Sequence, residues 1–236
     1  AGAGAYHAEL EGQHGIDVRG VTGLRLERVT VTDTYGDLLY IAGKGGVVSS
    51  DVVVTGAHLE RSGRQGITMK GVRDVQILGS HVGEIARSVI DFEPASENGG
   101  GAENVLIQGN TFGECRHLLL TAGGIGPNVN DISFVANRLV GIGLKVRVYA
   151  QDGARRSNFR IIDNVSEVSL GLPVAALRFG RVDGVVVRGN YQVMNPNREM
   201  TAVTTCLSTD VTVRRNQFPG AVDHFDTKPD CEGMEK

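Results

Sequence analysis

The stretch Asn104–Phe112 reads NVLIQGNTF, and the chain writes it repeatedly. The pattern returns as DISFVANRL from Asp131, NFRIIDNVS from Asn158, GVVVRGNYQ from Gly184 and DVTVRRNQF from Asp210. Looser copies come earlier, as GLRLERVTV from Gly23, DVVVTGAHL from Asp51 and DVQILGSHV from Asp74. The better copies share a polar residue or Gly, alternating apolar positions, a short break, then Asn and a further residue that is usually apolar. A unit this short cannot bury its own apolar face, so it must stack on its neighbours.

Each copy is preceded by a second short strand-like segment. In order these are HGIDVRG (14–20), DLLYIAG (37–43), QGITMKG (65–71), SVIDFEP (88–94), HLLLTAG (117–123), KVRVYAQ (145–151), AALRFGR (175–181) and TAVTTCL (201–207). The spacing between positions 57, 80, 110, 137, 164, 190 and 216 runs from 23 to 30 residues. With β-branched residues at alternate positions and no helical period, this predicts an all-β fold, a parallel β-solenoid of about eight coils. Residues 14–220 form the solenoid, 1–13 an N-terminal cap or upstream coil, and 221–236 a C-terminal cap or tail. At ~4.8 Å per coil, eight coils make a rod of roughly 40 Å.

The period of two assigns inward positions on the first strand of each coil: Ile16/Val18, Leu39/Ile41, Ile67/Met69, Ile90/Phe92, Leu119/Thr121, Val146/Val148 and Leu177/Phe179. These columns absorb most of the apolar residues. Asn110, Asn137, Asn164, Asn190 and Asn216, preceded by Ala57 and Ser80, fall at one bend. Asn tolerates a left-handed backbone there, and stacked Asn side chains form a hydrogen-bonded ladder. A ladder position also argues against glycosylation at the sequon Asn164-Val165-Ser166.

Bulk properties narrow the function. The 236 residues carry a net charge of -3, so no basic excess is available for a nucleic-acid backbone. No apolar run approaches the ~20 residues of a membrane-spanning helix, and no signal peptide is evident. Of three cysteines, Cys206 and Cys231 can pair if the tail beyond residue 220 folds back, leaving Cys115 free. Residues 1–13 are too rich in Gly and Ala for a strong amphipathic cap. An upstream domain, or a second subunit of a homo-oligomer, is expected to cover that end.

Coils of this form, with an Asn ladder and aliphatic stacks, resemble the right-handed parallel β-helix of the pectate lyase-like superfamily. GRQGITM (63–69), SVIDFEP (88–94) and ENVLIQGNTF (103–112) resemble bacterial parallel β-helix repeat proteins. The resemblance covers about residues 12–220. It implies right-handed winding, which agrees with the general bias of parallel crossovers. It also implies a secreted or cell-surface protein among polysaccharide lyases, hydrolases, epimerases and phage tailspikes. No cofactor is expected; Ca²⁺ is the one ion the resemblance brings, and its sites need several clustered Asp, whereas Asp91 and Glu93 stand nearly alone. The paired Asp and Gly-His-Gly segments of polygalacturonase-type hydrolases are missing. Tyr35-Gly36-Asp37 is a faint echo of the alginate epimerase segment. No family catalytic residue is carried over.

The outward positions of the first strand give the candidate site. One column reads Asp17, Tyr40, Thr68, Asp91, Leu120, Arg147, Arg178 and Thr204; beside it runs Arg19, Ala42, Lys70, Glu93, Ala122, Tyr149, Gly180 and Cys206. A third, with Lys145, flanks them. Asp91 and Glu93 share a strand face about 7 Å apart, with Lys70 one coil below Glu93. Two carboxylates flanked by cations suit glycosidic hydrolysis, one as acid and the other as base or nucleophile. They also suit β-elimination, with Lys70 or Arg147 assisting proton abstraction beside a uronate. The expected catalytic set is Asp91, Glu93, Lys70 and Arg147. The expected substrate-binding set is Tyr40, Asp17, Thr68, Tyr149, Arg178 and Lys145. The loop Ser96–Gly101 would project over the groove as a lip. His58 and His81 are expected to neighbour each other one coil apart on the second sheet; no metal site is assigned. The partner is therefore a polysaccharide or oligosaccharide, cleaved by lyase or hydrolase action. The alternative is a non-catalytic glycan-binding or structural rod, such as a phage-tail component or surface adhesin.

Overall fold

The computed structural model describes residues 5–95, 99–124, 126, 128–151, 154, 156–167, 176–194 and 200–232. Each of the first seven coils is built from three strands. The first holds β1 (Ile16–Arg19), β2 (Arg25–Glu27) and β3 (Thr30–Thr34), and the second β4 (Leu39–Ala42), β5 (Ser49–Thr55) and β6 (His58–Ser62). Next come β7 (Ile67–Lys70), β8 (Val72–Leu78) and β9 (His81–Ile85), then β10 (Ile90–Phe92), β11 (Ala102–Gln108) and β12 (Thr111–Phe112). The fifth coil has β13 (Leu120–Ala122), β14 (Val129–Val135) and β15 (Arg138–Val140), and the sixth β16 (Val146–Tyr149), β17 (Arg156–Ile162) and β18 (Val165–Glu167). After β19 (Leu177–Gly180), β20 (Val182–Arg188) and β21 (Tyr191–Gln192) come β22 (Thr201–Cys206), β23 (Thr209–Arg214) and β24 (Asp223–Lys228). Like strands of successive coils pair in parallel, giving sheets of nine, eight and seven strands. The result is a right-handed parallel β-helix of about seven complete turns, with a partial eighth.

The interior is a set of side-chain columns. On the first sheet the register runs Val18, Ile41, Met69, Phe92, Ala122, Val148 and Phe179, one residue per coil. On the second it runs Val54, Ile77, Ile107, Phe134, Ile161 and Val187. Almost all of these are fully buried. Burying a side chain of this size contributes about 1.5–3 kcal/mol. Phe112 of the third sheet stacks on Phe134 across the core, with centroids 5.3 Å apart.

Two backbone devices turn the coil, and both are written in the repeat. The polar residue that opens the better copies is not a strand start but a left-handed kink inside the second-sheet strand. Asp51, Asp74, Asn104, Asp131, Asn158 and Asp210 all have φ between 50° and 57°. Strand pairing skips this residue, passing from Glu103↔Arg73 to Val105↔Val75. Asp and Asn are the non-glycine residues that best tolerate this region, and adjacent ones bond, as in Asn104 Nδ2 donating to Asp74 Oδ1 at 2.6 Å. The second device is the bend itself. Asn110, Asn137, Asn164 and Asn190 each donate backbone N–H and side-chain amide to Oδ1 of the next Asn, at 2.9–3.0 Å. Each also donates to a carbonyl of the neighbouring coil, such as Asn137 to Ile107. The buried polar atoms are therefore satisfied along the axis, as burial requires.

The register corrects one expectation. In HLLLTAG the structure puts Leu120 and Ala122 inward and Thr121 outward, opposite Asp91. Leu118, Leu119 and Leu120 are apolar in succession, so alternation carries no phase there; the corner accommodates Leu119, which is fully buried.

Beyond residue 220 the strand pairing continues, because β24 adds a ninth strand beside β22. Cys206 and Cys231 are bridged, with Cα atoms 5.3 Å apart, and tie this segment down. Cys115 is free. Among the described residues no helix is long and apolar enough to cross a membrane.

Candidate functional site

The outward column of the first sheet runs Asp17, Tyr40, Thr68, Asp91, Thr121, Arg147, Arg178 and Thr204. Its middle faces a groove of about 360 Å³ whose lining includes Asp91, Glu93, Lys70 and Arg147. All four expected catalytic residues therefore lie on one groove, with Gln65, Arg87, His117 and Thr121 completing its polar wall. A second hollow of about 280 Å³ adjoins it and shares His117 and Arg147; Lys145 and Arg178 line it with Arg116.

The acidic end is built on a buried ion network. Asp37, just before β4, is fully buried. Arg64 Nη1 donates to both Asp37 oxygens, at 2.9 and 2.7 Å, and its Nη2 donates to Glu93. Glu11 lies 3.5 Å from Arg64 Nε. Burial opposes the Arg64 charge, but Asp37 and Glu93 outweigh that cost and raise its proton affinity. Asp37 also accepts the Gln65 N–H at 3.0 Å.

Gln65 carries the network to Asp91. Its Oε1 accepts the Ser88 N–H at 2.7 Å, which turns its amide nitrogen toward Asp91 Oδ2 at 2.5 Å. Asp91 Oδ2 is thus an acceptor, and a proton on this acid sits on Oδ1. Burial, and next the charge of Glu93, push the Asp91 carboxyl up to about 7, against the pull of Arg64. The groove accordingly holds one carboxylic acid able to donate a proton near neutrality, beside a second carboxylate gripped by arginine.

The basic end has a different character. Arg116, Lys145, Arg147 and Arg178 have no ion-pair partner among the described residues. His117 beside them is held below its usual range by burial and by the charges of Arg87, Lys145 and Arg147.

Other expected contacts are placed elsewhere. Tyr149 is 6% exposed and packs with the Cys206–Cys231 bridge; Gly180 makes room for it, since a Cβ there would meet its ring at 2.6 Å. It offers no sugar-stacking surface. Tyr40 is 7% exposed, stacked on His14 at 4.4 Å with Arg19 over its ring at 5.1 Å. Thr68 is fully buried, with Oγ1 lacking a hydrogen-bond partner among the described residues. Asp17 is ion-paired with Arg19, away from the groove lining. Of the loop Ser96–Gly101, residues 96–98 lie outside the described residues.

His58 and His81 are neighbours, but on the third sheet. Their rings stack 5.0 Å apart, and Glu60 lies 3.3 Å from His58 and 3.7 Å from His81. Among the described residues no three His, Cys, Asp or Glu side chains converge as a metal site requires.

Sequence reasoning missed Asp37, Arg64, Gln65, Arg87 and Arg116 because they sit on the corner before the first strand, where alternation lapses. A signal exists there: Arg64, Arg87 and His117 each precede their first strand by three residues, and their backbones bond in series.

No family model matches the chain, and the comparison with curated proteins gives no match. Among solved structures it is similar to PfbA, a surface adhesin of Streptococcus pneumoniae, at a TM-score of 0.66 and 14% identity. The similarity covers 90% of this chain and 59% of that one, so this chain spans well under two thirds of the adhesin's length. At this identity the likeness concerns the fold, a parallel β-helix.

Proposed function

We propose that this chain binds a polysaccharide along the first-sheet groove, at the cell surface or outside the cell, and cleaves it there by hydrolysis. The observation that carries this reading is the Asp91–Glu93 pair: a protonatable carboxyl at a groove wall, oriented by Gln65, next to a carboxylate held by Arg64. Asp91 Oδ1 gives its proton to the glycosidic oxygen as the bond from that oxygen to the anomeric carbon breaks. Water adds to the anomeric carbon, and its proton passes to Glu93. Lys70 and Arg147 lie on the same groove and orient the sugar through its hydroxyl or charged groups.

A second reading, non-catalytic glycan binding by a surface rod, is favoured by the similarity to a surface adhesin. Incubation with a panel of neutral and acidic polysaccharides, read for new reducing ends and for unsaturated products, separates the two. Hydrolysis predicts reducing ends without unsaturation, lost in Asp91→Asn. Unsaturated products would instead identify elimination. Binding without product in the wild-type chain would leave the rod reading standing.

A further inference from the structure

We propose that the hollow formed by Arg116, Lys145, Arg147 and Arg178 is an oxyanion subsite, taking a sulfate- or phosphate-bearing sugar unit of the bound glycan. This rests on the groove reading above and adds the chemistry of its occupant.

Among the described residues some cations face a carboxylate and others, such as Arg28, Arg73 and Arg160, stand singly without one; what sets the hollow apart is that four unpaired cations share it. Arg19 has Asp17, Arg25 has Asp51, Arg61 has Asp33, Arg64 has Asp37 and Lys228 has Asp226, all within 3.3 Å. The four cations of the hollow have no such partner among the described residues. Arg147 and Arg178 are direct register partners on β16 and β19, so their backbones lie about 4.8 Å apart. Lys145 is two residues before Arg147. Like charges opposed across paired strands destabilise a sheet, and no described carboxylate stands within ion-pair distance of these two. His117 is held below its usual range first by burial and only then by the charges of Arg87, Lys145 and Arg147. Clefts lined by one sign of charge concentrate ligands of the other.

Size and charge then narrow the ligand. About 280 Å³ lies at the small end of small-molecule sites, which run ~300–1,000 Å³. The hollow accommodates a single charged unit rather than a run of polymer. Four positive charges around one unit exceed what one carboxylate can offset, and three of the four are guanidinium groups, which pair bidentately with tetrahedral oxyanions. Sulfate and phosphate esters share that chemistry. Asp91, Thr121 and Arg147 occupy successive strands, so the anion sits two coils, about 10 Å, from the proposed acid. The charged unit is held beside the scissile bond, not at it.

The test is binding measured by calorimetry at low and moderate salt, using dextran sulfate, a phosphorylated dextran, polygalacturonate and unmodified dextran as probes. The wild-type chain and an Arg147→Ala/Arg178→Ala variant are compared, with circular dichroism confirming that both are folded. The expected result is tight, salt-sensitive binding of one or both esters, weakened at least tenfold in the variant. The two ester arms tell sulfate from phosphate. Preference for polygalacturonate over both esters, an unaffected variant, or no binding of any anionic probe would each overturn the subsite. Loss of binding in the variant without any cleavage by the wild type supports the subsite while refuting hydrolysis. Binding and cleavage of unmodified dextran, with the variant unaffected, does the reverse.

Discussion

Asp91 ties the stability of the fold to pH in a direction opposite to that of most carboxylates. An ordinary Asp titrates near ~3.9; Asp91 is pushed up to about 7, first by burial and second by Glu93. Because its folded value is raised, the folded state binds the proton more tightly than the unfolded chain. The stabilisation is complete below pH ~4 and is lost as pH rises to about 7, at ~1.4 kcal/mol per pH unit. Three units give a loss of about 4 kcal/mol across that window. Other groups titrate there as well, so the perturbation is Asp91→Asn, which removes this one contribution. The assay is urea unfolding of both proteins at a series of pH values from 4 to 8. The wild-type advantage should shrink by about 4 kcal/mol from the acid to the alkaline end. A difference between the two proteins that stays flat to within about 1 kcal/mol would refute the reasoning, because Asp91 would then titrate like an exposed carboxyl.

Two further outcomes follow from the packing. Arg64→Met strips the buried Asp37 of its counter-charge, and breaking such a pair costs about 3–5 kcal/mol; at ~2–4 °C per kcal/mol, thermal unfolding should fall by about 6–20 °C. An unchanged melting temperature would mean that Asp37 finds compensation elsewhere. Asn137→Ala removes the acceptor of the Asn110 N–H and one of the two acceptors of its side-chain amide, and takes from Ile107 O its side-chain donor. At ~1–3 kcal/mol for a buried orphan, chemical denaturation should register a loss in that range, and a loss under ~1 kcal/mol would remove the Asn stack from the interactions that hold the coils together.

The architecture is legible in this sequence because the fold is periodic: alternating Val and Ile fix the sheet faces, and Asn110 to Asn216 mark the bend coil after coil. Where the period loses contrast, so does the reading, as at Leu118–Leu120, where three apolar residues in succession hide a one-residue slip. That the leading Asp or Asn of each copy kinks its strand is not legible, because left-handed backbone inside a strand has no hydrophobic signature. Asp91, Glu93, Lys70 and Arg147 could be found by counting along strands. Arg64 and Gln65 could not, since they lie on a corner and reach the groove from the side. Exposure was the other blind spot: an outward position is not an open one, as Tyr40 beneath His14 and Tyr149 against the disulfide demonstrate.

The left-handed kinks also bear on how such a chain evolves. Each kink is set by a residue of its own coil, Asp131 for one and Asn158 for the next, and each coil pairs only with its two neighbours. A coil is therefore a unit that can be duplicated or deleted without redesigning the rest. Every such event moves the groove relative to the end of the rod on that side by one step of about 4.8 Å. The distance at which the site is held from whatever anchors the rod becomes a quantity that gene duplication adjusts in fixed increments, independently of the chemistry in the groove.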